Sequence, residues 1–155
     1  MVDFYETANF IVSAHDKPHV TRLDGGHIKI IPKREVESRW DFNPDEAKEF
    51  VRLSMIVGEA MKKGLNRQGI PVKRINFQDN GNWAFIKNSK PSFHLHLYGR
   101  AKNSKNQEFG QGLTFPPYNS NFYNTTKSLN KKDIQEIKKL IILISKREKY
   151  SLDKW

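Results

Sequence analysis

Ser92-Phe93-His94-Leu95-His96-Leu97-Tyr98 alternates polar and apolar residues with period two. That rhythm suits a β-strand with one dry face, because successive side chains of a strand point to opposite sides. Phe93, Leu95 and Leu97 belong to the core, so Ser92, His94, His96 and Tyr98 share the other face. Two imidazoles then sit side by side on a rigid element that closes with Gly99 and Arg100. Imidazole exchanges protons near neutral pH and can act as a nucleophile. The chemistry is expected on this strand, with the rest of the chain positioning a substrate against it.

The other elements follow from local signals. Asn9–Ser13 reads as a first strand and His27–Ile31, closed by Pro32, as the next. A polar connector and the turn Asp24-Gly25-Gly26 join them. Asn43-Pro44-Asp45-Glu46 starts a helix over about 44–63. Asn43 caps it, Pro44 suits its first position, and Glu46 stands three residues after the cap. Gly64 is expected just past its end. Val72–Gln78 reads as a strand, Asp79–Asn82 as a tight turn, and Trp83–Ile86 as strand or loop. Asn130 caps a last helix over 131–147, with Ile134, Ile137, Ile141 and Ile144 on one face and the Lys131-Lys132 and Lys138-Lys139 pairs on the wet side. Residues 101–130 are rich in Gly, Pro and Asn, a long loop or flap of a length uncommon in compact domains. The fold class is α+β, with an antiparallel sheet of about five strands packed on two main helices in a single domain, 1–155.

Composition narrows the partners. The 155 residues carry a formal net charge of +10, which favours anionic ligands such as phosphate-bearing small molecules or nucleic acid. No apolar run reaches the roughly 20 residues of a membrane span. No secretory leader is evident, and cysteine is absent, so thiolate metal sites and thiol nucleophiles are excluded and a cytoplasmic setting is expected. There is no GxGxxG turn before a helix, no GxxxxGK[ST] loop and no GxSxG elbow. His27 reads as a structural hydrogen bonder and His19 as a loop surface residue. Two histidines on one strand face can share a metal, but no third ligand stands out, and no metal site is assigned.

The segment from Ser92 to Arg100 resembles the histidine-triad (HIT) superfamily, whose strand reads His-x-His-x-His and commonly closes on Pro-Arg or Gly-Arg. Ser92 falls at the first histidine position, His94 at the second and His96 at the third. Gly26–Arg34 resembles the family's Gly-His-x-x-x-Ile-Pro-Lys-Arg segment, and Asp79-Asn80-Gly81 its turn before the active strand. The resemblance covers roughly residues 9 to 100. A second register, with His94, His96 and Tyr98 as the triad, would make His96 the nucleophile.

The resemblance implies a nucleotidyl hydrolase or transferase acting at the α-phosphate of dinucleoside polyphosphates or nucleoside phosphoramidates. A nucleotidyl-histidine forms on His94, with His96 and Ser92 as its catalytic companions. Asn88, Ser89 and Arg100 are implied as phosphate ligands. Asp16 and His15 are implied at the ribose, and Phe10, His15 and Ile28 at the base. No cofactor is required; a divalent metal is compatible with the scheme but not needed by it. A homodimer is the expected assembly. Serine at the first triad position departs from the pattern and leaves a second reading, a catalytically weak binder of nucleotides or nucleic acid.

Overall fold

The computed structural model describes residues 1–155. Five strands form one antiparallel sheet: β1 (Val2–Glu6), β2 (Phe10–Ala14), β3 (His27–Pro32), β4 (Val72–Asp79) and β5 (Leu95–Ala101), in the spatial order β1-β2-β3-β5-β4. Two long helices, α1 (Pro44–Arg67) and, at the C-terminal end, α4 (Lys131–Ser145), pack on each other and against one face of the sheet. Trp83–Ile86 is neither strand nor loop but a short helix, α2, and Phe122–Thr125 is another, α3. The architecture is the expected α+β one, with β1 added at the edge.

Both long helices begin as their sequences dictate. The Asn43 and Asn130 side chains accept from the N–H groups of Glu46 (2.9 Å) and Asp133 (3.0 Å), and each carboxylate returns to its cap's N–H. Gly64 does not end α1. It lies inside the helix, where a Cβ would come 2.8 Å from Ile137 on α4, so this glycine permits close helix packing. The chain turns instead at Gly69, with φ +80°.

The core lies between the helices and one sheet face. Val12, Ile28, Ile30, Leu95 and Leu97 meet Leu53, Val57, Met61, Ile137 and Ile141 there. Antiparallel register sets Lys29 opposite His96 and Ile28 opposite Leu97, so the two strands present matched polar and apolar faces. At the near end of this pair the backbones approach so closely that a Cβ on Gly99 would lie 2.0 Å from the Gly25 carbonyl oxygen. Residues 101–130 fold back beside the polar face. The buried Asp24 carboxylate accepts from the N–H groups of Lys105 and Asn106, at 2.9 and 3.1 Å. Both faces of β5 are therefore covered, and all seven of its residues are buried.

Candidate active site

The polar face of the sheet opens into a cavity of about 510 Å³. His94 and His96 form part of its wall, as do Ser89 and Ser92. The β2–β3 connection contributes His15, Lys17 and His19. Trp83 of α2 and Phe115, Tyr118 and Tyr123 of the 101–130 segment close the other side, which makes that segment a flap.

All five histidines of the chain gather here. His15 stacks on His27 with ring centroids 4.9 Å apart, His27 lies 5.0 Å from His96, and His96 lies 4.5 Å from His94. His19, expected at the loop surface, is half-buried among His27, Trp83, Phe115 and Tyr123. Its loop is pinned by a bidentate ion pair from Arg22 to the fully buried Asp133, at 2.6 and 2.9 Å. Only folding of the chain between residues 22 and 133 brings His19 inward, so nothing local in the sequence signals it.

Hydrogen bonds fix which ring nitrogens carry protons. The His19 backbone N–H donates to His27 Nδ1 at 3.2 Å. The neutral His27 ring then carries its proton on Nε2, which donates to His96 Nδ1 at 2.8 Å. His96 in turn is protonated on Nε2, a buried atom with no partner in the protein. It is a donor aimed at whatever the cavity holds. His94 is set the other way. Its Nδ1–H donates to the Ser92 carbonyl at 2.9 Å, which leaves the lone pair on Nε2. One imidazole is a poised nucleophile and its neighbour a poised donor.

The electrostatics are one-sided. Lys17, Lys29, Lys87 and Lys90 line the cavity and no carboxylate does. Burial, followed by the fields of nearby cations and imidazoles, holds His15 down to about 4 and His19 to about 3. Burial also lowers His27, His94 and His96 below the usual imidazole range, with Lys29 adding to the effect on each. Burial brings Lys29 itself down to about 8, and its ammonium still holds its proton at pH 7.

His19, His27 and His96 bring one ring nitrogen each within 4.8 Å of the others, a spacing that invites a metal. The facing nitrogens of His27 and His96, however, are spent on each other at 2.8 Å. Two imidazole ligands of one tetrahedral zinc lie about 3.3 Å apart, given Zn–N bonds of about 2.0 Å. As hydrogen-bonded, the trio does not fit the ion.

Several residues expected at the site stand elsewhere. Phe10 and Ile28 are fully buried on the opposite, core face, Phe10 against Phe42 and Phe50, so neither lines a base pocket. The face is set by phase: His27 and Lys29 point to the cavity, and Ile28 between them cannot. Arg100 is no phosphate ligand in this arrangement. Its buried guanidinium donates to the Glu108 and Gln111 carbonyls, at 2.8 and 2.9 Å, and anchors the flap. Asn88 is exposed beyond α2 with φ +50°, outside the cavity wall, while its neighbour Ser89 lines it. Asp16 is exposed at the rim, 3.2 Å from the Met1 ammonium. The sequence reading missed Lys29, His19 and the aromatic side. Lys29 was visible as the polar residue between Ile28 and Ile30, in phase with His27.

The fold is that of histidine-triad proteins. A histidine-triad protein from Sinorhizobium meliloti superposes with a TM-score of 0.62 at 12% identity, covering 92% of this chain and 87% of that one. A zinc-bound histidine triad family protein from Mycobacterium smegmatis gives 0.58 at 17%, covering 92% and 85%. A hypothetical histidine triad nucleotide-binding protein from Sulfolobus tokodaii gives 0.55 at 16%, covering 99% and 90%. No protein-family model matches the chain. No curated protein matches it either.

Proposed function

We propose that the protein is a nucleotidyl hydrolase or transferase in which His94 Nε2 attacks the α-phosphorus of a nucleotide. The observation that carries this reading is the 2.9 Å bond from His94 Nδ1–H to the Ser92 carbonyl, which leaves the attacking lone pair on Nε2. Attack forms a P–N bond, and the P–O or P–N bond to the leaving group breaks with its electron pair. Water or another acceptor then attacks the same phosphorus, the P–N bond to His94 breaks, and the neutral imidazole returns. The unpartnered His96 Nε2–H suits a non-bridging phosphate oxygen as charge develops there. The same protonation argues against His96 as the nucleophile.

An acid-free cavity with four lysines on its wall supports a phosphate-bearing ligand, and its aromatic side offers rings on which a base can stack. The nucleotide binding in the Sulfolobus tokodaii protein's description accords with this. The test is to incubate the protein with dinucleoside polyphosphates and nucleoside phosphoramidates, follow mononucleotide release, and trap a nucleotidyl adduct after rapid acid quenching. Adduct on His94, absent from His94→Ala, is the expected result. Equal turnover by both proteins sinks the assignment.

Ser92 favours a second reading. Its side chain is exposed and presents no imidazole at the first triad position. A protein that binds nucleotides or nucleic acid but turns over weakly would give ligand affinity without mononucleotide release. Affinity that falls steeply with salt would point to a nucleic-acid backbone.

A further inference from the structure

Lys29 is the anomaly of the cavity. It sits mid-strand on β3, directly opposite His96, and ends in the space that His94 faces. It is half-buried and enters none of the protein's ion pairs. The one acid whose field reaches it, Asp16, has an exposed carboxylate outside the cavity wall. Lys87 opposes it with like charge. A desolvated ammonium to which the protein gives no counter-ion is destabilising, so the arrangement makes physical sense when an anion completes it.

The other half of the observation is Ser92. Amine leaving groups must gain a proton as the P–N bond of a phosphoramidate breaks. A phosphate leaving group departs as a stable anion and needs none. The imidazoles on the wall are kept neutral by burial, and Ser92 offers only a hydroxyl. The site is rich in fixed positive charge and poor in mobile protons.

We propose that Lys29 is a catalytic residue that binds the phosphate chain of the substrate as an ion-pair ligand, and that the substrates are therefore nucleotide phosphoanhydrides rather than phosphoramidates. This inference rests on the nucleotidyl-transfer reading and narrows it. Lys29 neutralises the oxygens that gain charge as the bond between the α-phosphate and the next phosphate breaks, and the leaving phosphate carries the electron pair away. Lys29 keeps its proton throughout, so charge is the property that counts.

The experiment compares wild type, Lys29→Met, Lys29→Arg and Ser92→His on a dinucleoside polyphosphate and a nucleoside phosphoramidate. Binding of inorganic tripolyphosphate is measured in parallel by calorimetry. Wild type should cleave the anhydride and neglect the amidate. Lys29→Met should lose about 10- to 100-fold in kcat/KM on the anhydride, the scale of one charged hydrogen bond, and a similar factor in tripolyphosphate affinity. Its ligand-free melting temperature should be no lower than wild type, because an uncompensated charge has been removed. Lys29→Arg, which keeps charge but cannot donate a proton at neutral pH, should retain most activity. Ser92→His should gain turnover of the amidate.

A dead Lys29→Arg beside an active wild type overturns the ion-pair role in favour of proton donation. Wild-type preference for the amidate overturns the substrate class. If wild type forms no adduct with any nucleotide, the nucleotidyl-transfer reading fails. Lys29 is then judged by tripolyphosphate alone, and equal binding by wild type and Lys29→Met refutes it.

Discussion

Ile28 and Lys29 are neighbours on β3, as Leu97 and His96 are on β5, yet each pair divides between two environments. On one side Ile28 and Leu97 are wholly buried in an apolar core that packs against α1 and α4. On the other, Lys29 and His96 face a cavity where polar groups are buried without full partners. The first face gains free energy from every apolar atom it removes from water. The second forgoes it: four lysines, a buried donor without a partner in the protein, and imidazoles whose protonation burial disfavours. One sheet thus serves as foundation on one side and carries incompletely partnered polar groups on the other, the pattern expected where stability is exchanged for function.

The division is broken most decisively by substitutions that should affect one face and not the other. The largest effect is expected at His94. His94→Ala should lower turnover on the order of 10^4-fold, roughly 5.5 kcal/mol in the barrier, because the lone pair of the neighbouring imidazole, at His96 Nδ1, is already taken by His27. Its melting temperature should stay close to wild type, as the ring is only partly buried. The checks are steady-state product release and a thermal melt on the same preparation. A collapse of stability would mean that the cavity side is structural after all.

Leu97→Ala, three residues away and on the opposite face, should do the reverse. Loss of a fully buried leucine side chain from the core costs about 3 kcal/mol of stability, read by urea unfolding. Rate per folded molecule should hold within about twofold, since side chains on opposite faces share no partners. A large loss of rate without a loss of stability would dissolve the distinction between the faces.

The comparison also explains what the sequence could disclose. Period-two alternation announced β5, and two capping boxes announced the helices, because these signals lie within a few residues of one another. Which face a strand residue joins is a matter of phase, and there the family likeness misled. It put Ile28 in a base pocket, although Ile28 lies one residue out of phase with His27. Arg100 likewise matched a family position, but its partners, the carbonyls of Glu108 and Gln111, lie beyond residue 100, where the sequence resemblance ends. His19 depended on the pairing of Arg22 with Asp133, more than a hundred residues apart. Long-range docking of loops leaves no periodic trace.

Acid should separate the faces next. The folded protein holds His19 to about 3 and His15 to about 4, with His27 and His96 also lowered by burial, whereas all four titrate near 6.5 when unfolded. Between those limits the unfolded chain binds more protons, so stability is complete above about pH 6.5 and is lost as pH falls toward 4. Each such imidazole still neutral at pH 5 costs about 2 kcal/mol there. Glu46, lowered to about 2 chiefly by its bond to Arg34, gives up its stabilisation only as pH falls from its unfolded value of about 4.5 towards 2, below the window in which the imidazoles titrate. Unfolding followed from pH 7 to 5 therefore reports the cavity side alone. His15→Asn should flatten the slope by about one proton, and an unchanged slope would remove His15 from the cluster's titration.

The smallest effect is expected at Arg100, where the two readings of one residue diverge. If Arg100 served the substrate, Arg100→Met would depress kcat along with affinity. The structure instead commits both of its bonds to the flap, whose next stretch leads through Thr114, held by Gln107 at 2.9 Å, to Phe115 on the cavity wall. Arg100→Met should cost about 1 kcal/mol, because the freed carbonyls on exposed residues can turn to water. It should raise KM by about fivefold through a looser aromatic wall and leave kcat within about twofold, as chemistry at His94 is untouched. Amide exchange over residues 105–114 should quicken in the same variant, a change that loss of a phosphate ligand alone would not produce. A fall in kcat with unaltered exchange would return Arg100 to the phosphate and make the flap a bystander.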